Sequence, residues 1–190
     1  MPSAQSISKP RERLLRTASG IFYAKGIHSV GIDEIVATAG VTRSTLYRHF
    51  PSKEDLVVAY LTTASEAERQ AIDAALSDSM APDEAVRTVA RAVAGQITNP
   101  AFRGCAFLNA AAEYPDPEHP VHRAVLDHRR WFLGTVTGLM KPLVGKGFKQ
   151  RAELFVLLRD GAMAAGCLAD PAEVSKTFLA GAETLIVGTQ

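Results

Sequence analysis

Apolar residues recur along this chain at intervals of three and four, and strict alternation is nearly absent, so the pattern predicts helices throughout. Beginning near Pro10, a residue suited to a first helical turn, Leu14, Leu15, Ala18, Ile21 and Phe22 form one face of a first helix, which Gly26 ends. A short helix over 32–39 follows, with Asp33 and Glu34 in its first turn, where the helix dipole favours negative charge. Gly40 supplies a turn, and Thr42 caps a second short helix that reaches Phe50. Pro51 breaks the chain, and Ser52 is placed to cap a longer helix from Lys53 that carries Leu56, Val57, Tyr60 and Leu61 into the seventies. Further helices are expected near 83–98, 104–113, 119–143, 149–168 and 171–188. Ala81-Pro82, Asn99-Pro100, Tyr114-Pro115-Asp116-Pro117, the stretch from Gly145 to Gly147 and Asp170-Pro171 separate them. The fold class expected is all-α, with about nine helices.

Composition adds bounds rather than chemistry. The 190 residues are 47% hydrophobic and 22% charged, and a chain of this size buries roughly 70% of its unfolded surface without needing a disulfide or metal. Cys105 and Cys167, far apart in apolar surroundings, fit free thiols in a reducing compartment. The start, Met1 to Pro10, is polar and lacks the apolar core of a secretory signal, and no apolar run approaches the ~20 residues of a membrane span. The expectation is a soluble cytoplasmic protein with no membrane partner. Net charge is +1, but residues 1–55 hold eight Lys and Arg against five Asp and Glu, so the remainder carries −2. A basic end on a mildly acidic body fits one end meeting a polyanion.

The two short helices joined by Ala39-Gly40-Val41-Thr42 have the dimensions of a helix-turn-helix. Ile35, Ala39, Val41, Leu46 and Phe50 are spaced to pack them together, leaving Arg43, Ser44, Thr45, Tyr47, Arg48 and His49 on the opposite face, after the capping Thr42. Arg43, near the helix start, suits a guanine O6/N7 edge, and Thr45 a base edge or thymine methyl. Tyr47, His49 and Lys53 suit phosphate oxygens, Lys53 adding a cation beside free backbone N–H groups. Double-stranded operator DNA is the expected partner.

Leu14-Leu15, Ala18, Ile21-Phe22, Gly26, Ile35, Ala39-Gly40-Val41, the run from Ser44 to Glu54, and Leu56 together resemble the DNA-binding domain of the TetR (tetracycline-repressor-like) family. The resemblance implies an N-terminal three-helix helix-turn-helix domain over 1–52 and a larger helical effector-binding and dimerisation domain over 53–190. One departure is Gly31, where the family often has a Ser or Thr that contacts a phosphate; here only a backbone N–H is available. The segments 103–113, 116–121 and 159–162 look like one subgroup of the family's bodies. The function implied by the resemblance is that of a homodimeric, ligand-responsive repressor on a pseudo-palindromic operator. The alternative is a DNA- or partner-binding module without an effector.

Within the body, Tyr60, Phe102, Phe107, Leu108, His128, Trp131, Phe132 and Met163 are candidates for a pocket that takes a small apolar or aromatic effector, with Asn109 and Glu113 to orient it. The first eight also read as ordinary core residues, and Asn109 and Glu113 as residues that simply face solvent. Leu154, Leu157, Leu158, Gly161, Ala164 and Ala165 on one late helix, with Phe178, Leu179, Ala182, Leu185 and Ile186 on the last, suit a four-helix C2 interface, or else an internal core. His119, His122, Glu118 and His128 lack the spacing of a zinc signature, so no metal and no cofactor is expected. Cys105 beside Arg103 suits a reactive thiolate in principle, but a buried structural thiol fits its surroundings better. A helical enzyme using Glu113, Asp160 and the histidines is the rival from another class. No nucleophile–base spacing or phosphate-binding glycine loop supports it, so no catalysis is expected.

Overall fold

The computed structural model describes residues 9–187. The polar start up to residue 8 and the expected last helical position, 188, lie outside them. Among the described residues there are nine helices and no strand: α1 (Lys9–Lys25), α2 (Ile32–Ala39), α3 (Arg43–His49), α4 (Lys53–Ala75), α5 (Pro82–Ile97), α6 (Ala106–Glu113), α7 (Pro120–Val144), α8 (Phe148–Ala165) and α9 (Pro171–Val187).

Two boundaries differ from expectation for local reasons. Gly104 has φ +86°, a left-handed conformation incompatible with a helix, so α6 begins at Ala106 rather than 104. At the other end, Cys167 and Leu168 donate to the carbonyls of Ala164 and Ala165. These tightened three-residue bonds finish α8 at Ala165, short of the expected 168. Pro142 lies inside the last turns of α7 without ending it.

The chain folds as two compact units that do not follow chain order: Met1–Ala64 with Asn109–Val125, and Ser65–Leu108 with Leu126–Gln190, each described within residues 9–187. In the first unit α1, α2 and α3 pack on one another around Leu14, Ala18, Phe22, Ile35, Leu46 and Phe50, all nearly or fully buried. Leu15, Ile21 and Val41, expected on the same faces, are only half-buried. In the second unit α9 packs on both α5 and α8. Phe155 and Phe178 meet edge-on with ring centroids 5.8 Å apart, and Arg87 of α5 reaches Glu183 of α9 through both Nε (2.9 Å) and Nη2 (2.7 Å).

Candidate nucleic-acid interface and a buried polar centre

The reading end is built from its caps. Gly40, at φ +62°, closes α2 in the left-handed conformation, its N–H donating to Ala37 and Val36 carbonyls. Thr42 then sits in extended backbone, its hydroxyl accepting from the Thr45 N–H at 3.2 Å. The same oxygen lies 2.9 Å from the hydroxyls of both Ser44 and Thr45. Ser52 and Asp55 cap α4 reciprocally: Ser52 Oγ accepts from the Asp55 N–H at 3.0 Å, and Asp55 Oδ2 accepts from the Ser52 N–H at 3.0 Å and its hydroxyl at 2.7 Å. Gly31 caps α2 without any side-chain hydrogen bond, as its identity required.

With Leu46 and Phe50 turned into the core, α3 exposes Thr42, Arg43, Ser44, Tyr47 and Arg48, while Thr45, His49 and Lys53 are half-buried. Tyr47 is 46% exposed, its ring and hydroxyl open to solvent on the outer face of α3. Arg43, however, is engaged. Its Nε donates to Asp33 Oδ1 at 2.6 Å and its Nη2 to Asp33 Oδ2, and this guanidinium holds the Asp33 carboxyl below its usual range. Arg11 lies 4.9 Å from the Phe50 ring centroid and Arg13 Nη2 reaches the Gly40 carbonyl at 3.4 Å, so α1 supports the turn before α3 and the residue that ends it.

Glu113, expected to orient an effector, is committed elsewhere. Its Oε1 accepts from the Ile27 N–H at 2.8 Å and its Oε2 from the His28 N–H at 2.5 Å, with His28 Nδ1 at 3.5 Å. The end of α6 thereby holds the loop after α1, where Gly26 takes φ +87°. Tyr114 stacks obliquely on His28 (4.8 Å) and on His119 (4.6 Å), and its carbonyl lies 2.6 Å from His122 Nδ1. His119 Nδ1 accepts from the Val121 N–H. The histidines of this segment therefore serve separate local contacts, and no cluster of three or more metal-ligating side chains occurs among the described residues.

In the second unit, Phe107 stacks face to face on His128 (3.5 Å, 2° between planes), His128 meets Trp131 at 5.3 Å, and Trp131 meets Phe132 edge-on at 6.0 Å. These four expected pocket residues do come together, but around charge. Glu68 of α4 and Arg159 of α8 stand beside them, Glu68 Oε2 3.6 Å from His128 Nε2 and Glu68 Oε1 3.7 Å from Arg159 Nη2. Both separations exceed hydrogen-bond length, and Glu68 Oε1, His128 Nε2 and Arg159 Nε are buried without a hydrogen-bond partner. Burial, reinforced by the Arg159 and Arg69 cations, pushes His128 down to about 3, and burial raises Glu68. Arg159 also meets Cys105 Sγ at 3.4 Å and Asp160 Oδ1 at 3.1 Å, and lies over the Phe132 ring. Cys105 is buried, Cys167 exposed, and both are free thiols.

Residues 14–60 match the model of the bacterial regulatory proteins of the tetR family. A TetR-family transcriptional regulator from Streptomyces coelicolor has a solved structure to which this chain is 58% identical, with 94% of each chain covered and a TM-score of 0.91. The chain belongs to the TetR family. It is a helix-turn-helix transcriptional regulator of that family. Among other relatives, an uncharacterized regulator from Bacillus subtilis is 32% identical over 90 residues, 47% of each chain. A transcriptional activator from Mycolicibacterium smegmatis is 47% identical over 51 residues, which are 27% of this chain and 23% of that one. The chain thus spans less than half the length of these two relatives. No helix among the described residues is long and apolar enough to cross a membrane.

Within this TetR-family fold the remaining expected residues fall into distinct places. Tyr60 packs on Phe22 at 6.0 Å in the first unit, apart from the aromatic set above in the division of the chain. Phe102 is half-buried against Gly166, Met163 is fully buried, Leu108 half-buried and Asn109 exposed. A surface cleft of about 390 Å³ in the second unit, lined by Asp73, Asp78, Met80, Gly138 and Pro142 among others, contains none of the expected pocket residues. Along α8, Leu154, Leu157, Gly161 and Ala164 face outward, with Leu158 and Ala165 half-buried beside them. On α9 Phe178, Ala182 and Ile186 are buried inside the protomer, and only Leu179 and Leu185 remain partly exposed. Periodicity could not separate the inner from the outer face of α9. The sequence pattern gives no site role to Asp33, Glu68 or Arg159, because each acts through a tertiary partner.

Proposed function

We propose that this TetR-family regulator is a ligand-responsive repressor that binds a pseudo-palindromic operator as a homodimer. The observation that carries the reading is α3: a seven-residue helix, capped at its start by Thr42, whose outward face holds Arg43, Ser44, Tyr47 and Arg48. Such a helix suits the major groove, with Arg43 and Thr45 reading bases and Tyr47, His49 and Lys53 fixing position on phosphates. An outward apolar stripe on α8, with Leu154 46% and Leu157 61% exposed, and Leu168, 87% exposed in the turn that follows it, supports the dimer.

The effector reading narrows from the small apolar or aromatic ligand expected. Three unpartnered buried polar atoms beside Phe107, His128 and Trp131 favour a small aromatic molecule that carries a hydrogen-bonding group. α4 is the natural transmitter, since Lys53 and Glu68 lie on one continuous helix about four turns apart. An effector that prefers the released state by ~3 kcal/mol weakens operator binding a little over a hundredfold.

Fluorescence anisotropy on duplexes selected from a random pool tests the interface. Lys53→Ala should weaken binding across sequences and flatten its salt dependence, while Arg43→Ala should relax base preference. Unchanged affinity after replacing Tyr47, His49 and Lys53 together would refute the DNA reading. A flat melting temperature across a library of hydroxylated and carboxylated aromatics would instead remove only the effector and leave a constitutive DNA-binding module.

A further inference from the structure

The Asp33–Arg43 pair is more than a surface ion pair, because of which edge of the guanidinium it uses. Arg43 gives Asp33 its Nε hydrogen and one Nη2 hydrogen, a side-on fork. Both Nη1 hydrogens and the second on Nη2 remain, and one Nη1 hydrogen with that Nη2 hydrogen forms the end-on edge that can take guanine O6 and N7 together. Asp33 comes from the first turn of α2 and Arg43 from the first residue of α3, so the contact spans the two helices of the reading head. Both side chains are open to solvent, Arg43 62% and Asp33 73% exposed. An acid this near a polyanion is unfavourable for phosphate binding, so its position needs another justification. It has two effects with one outcome. The carboxylate removes rotamer freedom from Arg43 before a base arrives, and it occupies the charge that would otherwise turn toward a phosphate.

We propose that Asp33 is a positioning residue that determines specificity: it buttresses Arg43 for end-on base reading and withholds it from the DNA backbone. This rests on the reading of α3 as the recognition helix. Asp33 raises the ratio of operator to non-specific binding rather than affinity itself.

The test uses the full chain, a duplex selected by the wild-type protein from a random pool, and a shuffled duplex of the same length. Asp33→Asn should bind the shuffled duplex more tightly and lower the operator-to-shuffled ratio about tenfold, the scale of one bidentate base contact. Its slope of log affinity against log salt on the shuffled duplex should steepen by ~0.9, the signature of one added phosphate contact. In an Arg43→Ala background Asp33→Asn should change neither ratio nor slope, since there is no fork left to position. Asp33→Glu keeps the charge and misplaces the fork, so it should lower the ratio without steepening the slope. An unchanged ratio in Asp33→Asn, or an equal change with and without Arg43, overturns the proposal while leaving the DNA interface standing. A wild-type protein that enriches no duplex and shows no salt dependence overturns the interface, and the proposal with it. Melting curves of each variant, expected to superpose because the site is exposed, separate loss of fold from loss of reading.

Discussion

Replacing Glu113 with Ala should loosen the first unit from a site on neither helix of the helix-turn-helix. The wild-type carboxylate accepts two backbone N–H groups, and its side chain is 23% exposed. His28 is exposed, so water replaces that half of the contact at little cost. Ile27 is only 3% exposed, and a buried N–H left without an acceptor costs about 1–3 kcal/mol, to which the lost charge-assisted bond adds. A net loss of about 2–3 kcal/mol is expected, which for a chain of this length lowers the melting temperature by about 5–10 °C. Glu113→Gln keeps one oxygen acceptor and should lose about half as much. Thermal unfolding followed by circular dichroism measures the loss, and amide exchange locates it: Ile27 and His28 should exchange faster while the core of α5 does not. If Glu113→Ala melts within a degree of the parent and those two amides keep their protection, the clamp contributes nothing.

Three other sites give outcomes of their own. His128 is held near 3 in the folded protein against 6.5 in the unfolded chain. The unfolded state thus binds the extra proton between those values, and stability falls as pH drops below 6.5, by up to about 1.4 kcal/mol per pH unit. His128→Asn should flatten this dependence in urea titrations at pH 7 and 5, and an unchanged pH dependence would count against a buried neutral imidazole. Leu157→Glu puts a charge into the outward stripe of α8 and should give monomers in light scattering after size exclusion; a persisting dimer would place the interface elsewhere. At Gly166 an added Cβ would lie 2.8 Å from Ile97 Cγ2 and 3.0 Å from Phe102 Cε1. Gly166→Ala should therefore cost about 1–3 kcal/mol in a denaturant midpoint, and a neutral result would show that Phe102 yields freely.

The helices were legible because proline and glycine punctuate them at points where the backbone must change direction. Thr42, Ser52, Gly26 and Gly40 serve as the caps and turns that their spacing implies. Local signals failed where a residue's role is set by something distant along the chain. Asp33 looked like a dipole-complementing acid in the first turn of α2, and its partner lies 10 positions later across a turn. Glu113 shares a helix face with Asn109, which suggested a ligand, yet its partner is 86 residues away. His128 looked like one polar group among aromatic anchors. Its neighbours Glu68 and Arg159, on α4 and α8, make the site a charged one.

The unit that carries the helix-turn-helix is interrupted along the chain, its second piece running from Asn109 to Val125. A ribosome that has made everything through α4 has therefore not yet made the carboxylate that holds Ile27 and His28, nor the Tyr114 ring beside them. That clamp forms only after residues 109–125 emerge, when α5 has already left the exit tunnel. A single splice near residue 52 or 64 accordingly separates the two halves of this clamp, and moving residues 109–125 together with the first segment keeps it whole.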